Sequence, residues 1–313
     1  MIMLDRDFPG TGKTVGILGV PLGFAASTVG SELGPQAIRQ QKLKERIETL
    51  GYRVQDFGDL NLQHPDRPAE PGENPRFLRE MVAASDLICP SMSNLFRESD
   101  IPLILGGDHS IAMATLSGVS SHFRNQKQEI GLIWFDAHAD INTPETTHSG
   151  NLHGMPLAVL FGKGAPELTN LCGFAPKLNP KFCAHVGARD LDLGEKRMIR
   201  ELDLRVFTMN EIDRRGMNAC IEDAIAIASQ APGGFAVTFD VDVLDPLDAP
   251  GSGTLVRGGI SYREAHLALE RIAETGKMRS FEIVEVNPTL DTNNRTAELA
   301  VELILSALGK TIL

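Results

Sequence analysis

The sequence predicts an α/β fold in which a parallel sheet carries helices on both faces. Two observations lead there. Short apolar runs rich in β-branched residues alternate with longer amphipathic stretches along the whole chain. Acidic and imidazole clusters follow three of those runs, and α/β sheets bind their ligands just beyond the carboxyl ends of the strands. In chain order, TVGILGV predicts a strand at Thr14–Val20 and the stretch 34–50 a helix; YRVQDF predicts a strand at 52–57 and the stretch 74–96 a helix. PLILG predicts a strand at 102–106 before a helix at 110–123, and GLIWF a strand at Gly131–Phe135. FCAHVG predicts a strand at 182–187 before a helix at 194–202, and RVFT one at Arg205–Thr208 before a helix at 218–231. FAVTF predicts a strand at 235–239 before a helix at 261–275, and SFEIVEV one at 280–286 before a closing helix at 293–308. The most polar stretch, 63–73, reads as a loop, and with no linker or internal repeat one domain spanning 1–313 is expected.

With 42% hydrophobic and 23% charged residues, disorder as the main state is excluded. The formal charge of −11 argues against nucleic acid or an anionic membrane as partner. No apolar run approaches the roughly 18 residues of a membrane span. Met1 to Asp5 shows no basic region leading into an apolar one, so a secretory leader is not expected and a cytoplasmic location is. Cys89, Cys172, Cys183 and Cys220 lack CxxC spacing and are expected as reduced thiols.

The run 102–106 ends in GGDHS, Gly131–Phe135 in DAHAD, and 235–239 in DVD. Residues two apart in an extended chain share a face, so Asp136, His138 and Asp140 are expected on one side, as are Asp240 and Asp242. If the two strands are adjacent, four carboxylates and an imidazole meet in one small volume. Like charges there repel strongly unless cations balance them. Two divalent ions would balance four Asp, with His109 and His138 as neutral ligands; mixed carboxylate and imidazole donors suit Mn²⁺, Fe²⁺ or Zn²⁺ better than Ca²⁺. Taken singly, Asp-x-Asp after a strand is an ordinary turn or helix cap, and GGDHS a tight turn before a capped helix. DAHAD has no such packing role after GLIWF.

The segment DAHADINTPETTHSGNLHGM at 136–155, with GGDHS at 106–110 and FDVDVLDP at 239–246, resembles the ureohydrolases, and among them the arginases. The likeness runs almost end to end, from Gly19-Val20-Pro21 to Glu285-Val286-Asn287-Pro288 and the closing helix. It implies a three-layer α/β/α fold with an eight-stranded parallel sheet, two Mn²⁺ per subunit, and hydrolysis of a guanidinium group to urea. Carried over by position, one metal would take His109, Asp136, Asp140 and Asp240, the other Asp136, His138, Asp240 and Asp242. A water shared by two cations has its pKa lowered enough to supply the hydroxide that a resonance-stabilised guanidinium demands. Asp140 would also orient that hydroxide, and His153 in SGNLHG would pass a proton to the leaving amine.

The resemblance implies further roles: Glu285 pairing with the guanidinium, Thr254 beside it, Asn142, Thr147 and Ser149 at an α-carboxylate, and Asp192 and Glu195 at an α-ammonium. Read from residue type alone, the run RDLDLGE is equally a helix N-cap. His148 and Leu255 depart from the family pattern; His148 is expected as a loop histidine near the pocket mouth. Neutral donors for an α-carboxylate favour L-arginine over agmatine. Agmatine or another guanidino compound, a catalytically silent metal-binding homologue, and more distantly a two-metal phosphoesterase remain as alternatives. Co²⁺ or Ni²⁺ could replace Mn²⁺. The resemblance also implies a homo-oligomer, trimer or hexamer, with Arg205 or Arg257 as candidates for contacts between subunits.

Overall fold

Eight parallel strands form one sheet: β1 (Thr14–Val20), β2 (Arg53–Asp59), β3 (Ile101–Gly106), β4 (Gly131–Phe135), β5 (Cys183–Ala188), β6 (Arg205–Thr208), β7 (Phe235–Asp240) and β8 (Met278–Val284). Their order across the sheet is β2-β1-β3-β8-β7-β4-β5-β6. The last strand of the chain therefore sits in the middle, paired to β3 on one side and β7 on the other. The computed structural model describes residues 9–312, so the leader reading at the start of the chain lies outside the described residues.

Alternation along each strand feeds two separate cores. Ile133, Phe135, Val237, Phe239, Phe281 and Ile283 point to one side, where helices 34–40, 217–228, 262–274 and 295–307 cover them. Leu132, Trp134, Ile104, Ala236 and Val284 point to the other, against helices 78–98 and 112–125 and the segment 152–171. The three layers follow from this. Central strands are apolar on both faces because both faces are covered. Each fully buried Phe or Trp contributes roughly 1.5–3 kcal/mol by leaving water.

All eight expected strands form, three with the expected ends and the others with ends shifted by at most two residues. The helices agree less closely. The stretch 34–50 is two helices, Gly34–Gln40 and Leu43–Glu48, parted where Lys42 adopts φ 59°. The stretch 74–96 is helical only from Leu78, since Phe77 sits at φ 56°, and it then runs through Pro90 to Glu98. Short helices at Pro156–Leu160, Pro166–Thr169 and Met209–Arg215 were not expected. Among the described residues no helix is long and apolar enough to cross a membrane.

Candidate metal centre and its cleft

GGDHS leaves β3 through Gly107, where a Cβ atom would lie 1.8 Å from the Leu22 carbonyl oxygen, so only glycine lets the two loops touch. Asp108 then caps the turn His109–Ile111, accepting from the Ser110 N–H at 3.1 Å, and takes the Ala25 N–H at 2.9 Å. The imidazole of His109 is thereby fully buried, stacked on Trp134 with ring centroids 4.1 Å apart.

The clusters after β4 and β7 converge as expected, but not through an extended backbone. DAHAD follows the end of β4 through bends, with Asp140 at φ 51°, and DVD closes as a 3-10 turn at Val241–Val243. The period-two argument therefore named the right residues for the wrong reason. Carboxylates bonding neighbouring backbone N–H groups bend the chain instead: His138 N–H to Asp136 at 2.7 Å, Asp242 N–H to Asp240 at 2.8 Å, and Ala137 N–H across to Asp242 at 3.1 Å. β4 and β7 are neighbours, as that argument required.

His109 Nδ1 lies 3.1 Å from Asp136, 3.2 Å from Asp140 and 3.2 Å from Asp240. His138 Nδ1 lies 3.0 Å from Asp242 and 3.4 Å from Asp136. Two donor groups result, His109–Asp136–Asp140 and Asp136–His138–Asp242, each with its ligand atoms within 4.8 Å of one another and Asp136 common to both. The electrostatics betray the crowding. Burial, then repulsion by Asp136, raises Asp140 to about 7; burial and repulsion by Asp242 and Asp136 push Asp240 well above the carboxylate range. Burial opposes protonation of His109 and His138, yet the surrounding carboxylates hold both imidazoles well above their ordinary range. This donor set is what a divalent cation satisfies.

Above the centre opens a cleft of about 220 Å³, lined by His138, Asp140, Asn142, His153, Asp190, Asp192, Glu195, Asp240 and Thr254. His153 Nδ1 stands 3.2 Å from Glu285 Oε1, which also accepts the His109 N–H at 2.9 Å. Glu285 follows β8 at φ 64°, a left-handed conformation costly for a side-chain-bearing residue. Although burial opposes it, the Glu285 carboxylate raises His153 to about 9.

A match to known proteins extends over nearly the whole chain: the model of the arginase family covers residues 13–309. The chain belongs to the arginase family. It is 45% identical over 301 residues to an arginase of Bacillus subtilis (strain 168), spanning 96% of this chain and 99% of that protein. An arginase of Bacillus caldovelox is 43% identical over 302 residues, spanning 96% and 100%. The solved native structure of the Bacillus caldovelox arginase superposes with a TM-score of 0.91 at 42% identity, and that of Entamoeba histolytica arginase in complex with L-ornithine with 0.87 at 30%; each covers 96% of this chain and 100% of the other. The chain is thus an arginase-type hydrolase, and its arginase-family cluster of His109, Asp136, Asp140, His138 and Asp242 is a divalent metal site.

Within this arginase-family cleft the expected residues fall into two groups. Asn142 donates to Asp192 at 2.8 Å, and Thr254 donates to Asp242 at 2.9 Å. Asp192 and Glu195 form a capping box on helix Leu193–Leu202, as the helix-cap reading of RDLDLGE expected, and both also line the cleft. Burial raises the Glu195 carboxyl to about 7. Thr147 and Ser149 do not line the cleft: each hydroxyl accepts a loop N–H, from Gly150 at 3.1 Å and Asn151 at 3.2 Å. His148 is exposed in that same loop. Arg205 is engaged within its own chain, by Glu211 at 2.9 Å and over the Phe207 ring at 3.8 Å, whereas Arg257 is exposed.

Four supporting residues escaped the sequence reading. Thr238 Oγ1 meets His109 Nε2 at 3.0 Å and donates to the buried Glu282 at 2.9 Å; the Trp134 indole N–H donates to Asp136 at 3.0 Å; His185 Nε2 meets the His138 carbonyl at 2.6 Å. All sit inside strands, where a lone polar residue carries no motif. The only available signal was a Thr or Glu at an inward position of an otherwise apolar strand.

Proposed function

We propose that this protein is a Mn²⁺-dependent arginase that converts L-arginine and water to L-ornithine and urea. The observation that supports this most is the convergence of His109, His138, Asp136, Asp140, Asp240 and Asp242 beneath a cleft whose wall carries His153, with the buried Glu285 paired to that imidazole from behind. Two metals would be held by those six residues, with Asp136 and Asp240 shared. Bound there, they would supply a nucleophile at neutral pH by lowering the pKa of water.

The remaining work falls to the chain's own side chains. The Glu285 carboxylate suits a planar guanidinium, with which a buried carboxylate makes a strong charge-assisted pair. Asp140, at the cleft floor, accepts a hydrogen bond from the attacking water and so aims it at the guanidinium carbon. His153, protonated near neutrality, donates to the departing ε-nitrogen of arginine, so that urea and the neutral side-chain amine of ornithine leave. Asp192 and Glu195 face the α-ammonium, and Asn142 offers its amide, with Thr147 and Ser149 further out in the loop, toward the α-carboxylate.

Urea release from L-arginine and from agmatine by Mn²⁺-loaded protein tests the reading. Urea mainly from L-arginine is expected, abolished in Asp136→Ala and reduced roughly 10²–10⁴-fold in kcat in His153→Ala. Urea mainly from agmatine would remove the amino-acid role of Asn142, Ser149 and Asp192. No urea from either substrate by metal-bound protein would overturn the activity.

A further inference from the structure

On the sheet face that carries helix Leu78–Glu98, a second cleft of about 520 Å³ is lined by Ser85, Cys89, Pro90, Glu167 and Cys172 among others. It holds two of the four cysteines. Cys89 sits on the helix, buried, its Sγ 3.4 Å from the Ala114 carbonyl oxygen. Cys172 sits in the facing turn Leu171–Gly173, exposed and at φ 55°. Both side chains line this cleft, one from the helix and one from the turn. Lys177 stands behind the same turn, its buried ammonium donating to the Thr169 carbonyl at 2.5 Å and to the Phe174 carbonyl, and lying 4.8 Å from the Phe174 ring.

We propose that Cys172 and Cys89 form a redox-active dithiol, in which Cys172 is the site of oxidation by a hydroperoxide and Cys89 is the thiol that resolves it. The arrangement combines what such a site requires: an exposed attacking sulfur, a neighbouring cation, and a second thiol facing it from another element. The neighbouring Cys89 thiol and the Lys177 ammonium outweigh burial and lower the Cys172 thiol to about 7, while Cys89, its S–H committed to the Ala114 carbonyl, is pushed the other way and remains a thiol. In the first step the Cys172 thiolate attacks one peroxide oxygen; the O–O bond breaks, the sulfur is oxidised to the sulfenic acid, and hydroxide leaves. In the second, Cys89 sulfur attacks the sulfenic sulfur, the S–O bond breaks, and water leaves with the Cys89 proton. One peroxide is reduced and one disulfide forms. Cys183 and Cys220 lie buried on strand β5 and helix Met217–Ala228, away from this cleft, and serve as internal controls.

The test treats the Mn²⁺-loaded full chain with one equivalent of hydrogen peroxide and maps thiols by peptide mass spectrometry without reduction. A cross-link between the Cys89 and Cys172 peptides is expected, reversed by dithiothreitol. Cys89→Ser should leave Cys172 as a sulfenic acid trapped by dimedone, and Cys172→Ser should protect Cys89. Iodoacetamide at pH 6.5 should label Cys172 roughly tenfold faster than an ordinary thiol. Lys177→Met should shift the midpoint of that labelling to higher pH without moving Tm below the assay temperature. Labelling of Cys172 at the ordinary rate, or peroxide treatment giving no cross-link with sulfur oxidation spread over Cys183 and Cys220, would overturn the proposal.

Discussion

Thr238 touches no part of the cleft, yet it decides which nitrogen of His109 faces the carboxylates. Its hydroxyl proton goes to Glu282, so the oxygen accepts from Nε2–H and leaves the Nδ1 lone pair toward Asp136, Asp140 and Asp240. Thr238→Val keeps the shape and removes the acceptor. Mn²⁺ affinity should fall roughly 10–100-fold in a competitive chelator titration, with the fold retained. Proton bookkeeping gives a second expectation. Both imidazoles are held above their ordinary range by the carboxylates and must be neutral to bind a cation. Loading with Mn²⁺ at pH 7 should therefore release protons, read by calorimetry as a heat that varies with the ionisation enthalpy of the buffer. Uptake with no buffer dependence would contradict the carboxylate–imidazole pairing. DAHAD was legible at this scale because three polar residues separated only by alanine have no packing explanation after an apolar strand, and DVD because it recurs beside it at another strand end; Thr238 and Glu282 were not, since each partner lies tens of residues away in sequence.

At the level of elements, strands were easier to read than helices. A buried central strand is a short apolar run whatever surrounds it, and all eight strands were visible, the exposed edge strand β2 included. Helix breaks were not. QQKLKERIETL holds no Gly or Pro, and nothing local announces that Lys42 turns left-handed between two helices. The backbone cost there is set by tertiary packing of both short helices against their neighbours. Lys42→Gly should relieve it and stabilise the protein by about 0.5–1 kcal/mol in urea denaturation. One missed helix did carry a signal: Thr208 caps Met209–Arg215, accepting from the Glu211 N–H at 3.4 Å, and T-x-x-E directly after a strand is a helix start.

Across the whole molecule, charge and stability meet at the carboxyl edge of the sheet. Part of the −11 formal charge is internal, in four buried aspartates that repel one another. Chelation of the metal should then cost stability as well as activity: at a hundredfold excess over Kd, bound cation contributes about 2.7 kcal/mol, so EDTA should lower Tm by roughly 4 °C, restored by Mn²⁺. An unchanged Tm would mean that the folded state has no preference for the cation. The three-layer architecture was legible from alternation and resemblance; the order of the strands was not, because nothing in a parallel strand names its neighbour. That order has a consequence for synthesis. Since β8 alone joins β1–β3 to β4–β7, a chain emerging from the ribosome holds two half-sheets with unpaired inner edges until its last strand is free of the exit tunnel. Glu285 arrives on the same segment, so a nascent chain exposes sticky edges and lacks a finished site until β8 has emerged, and chaperone demand should peak just before that point.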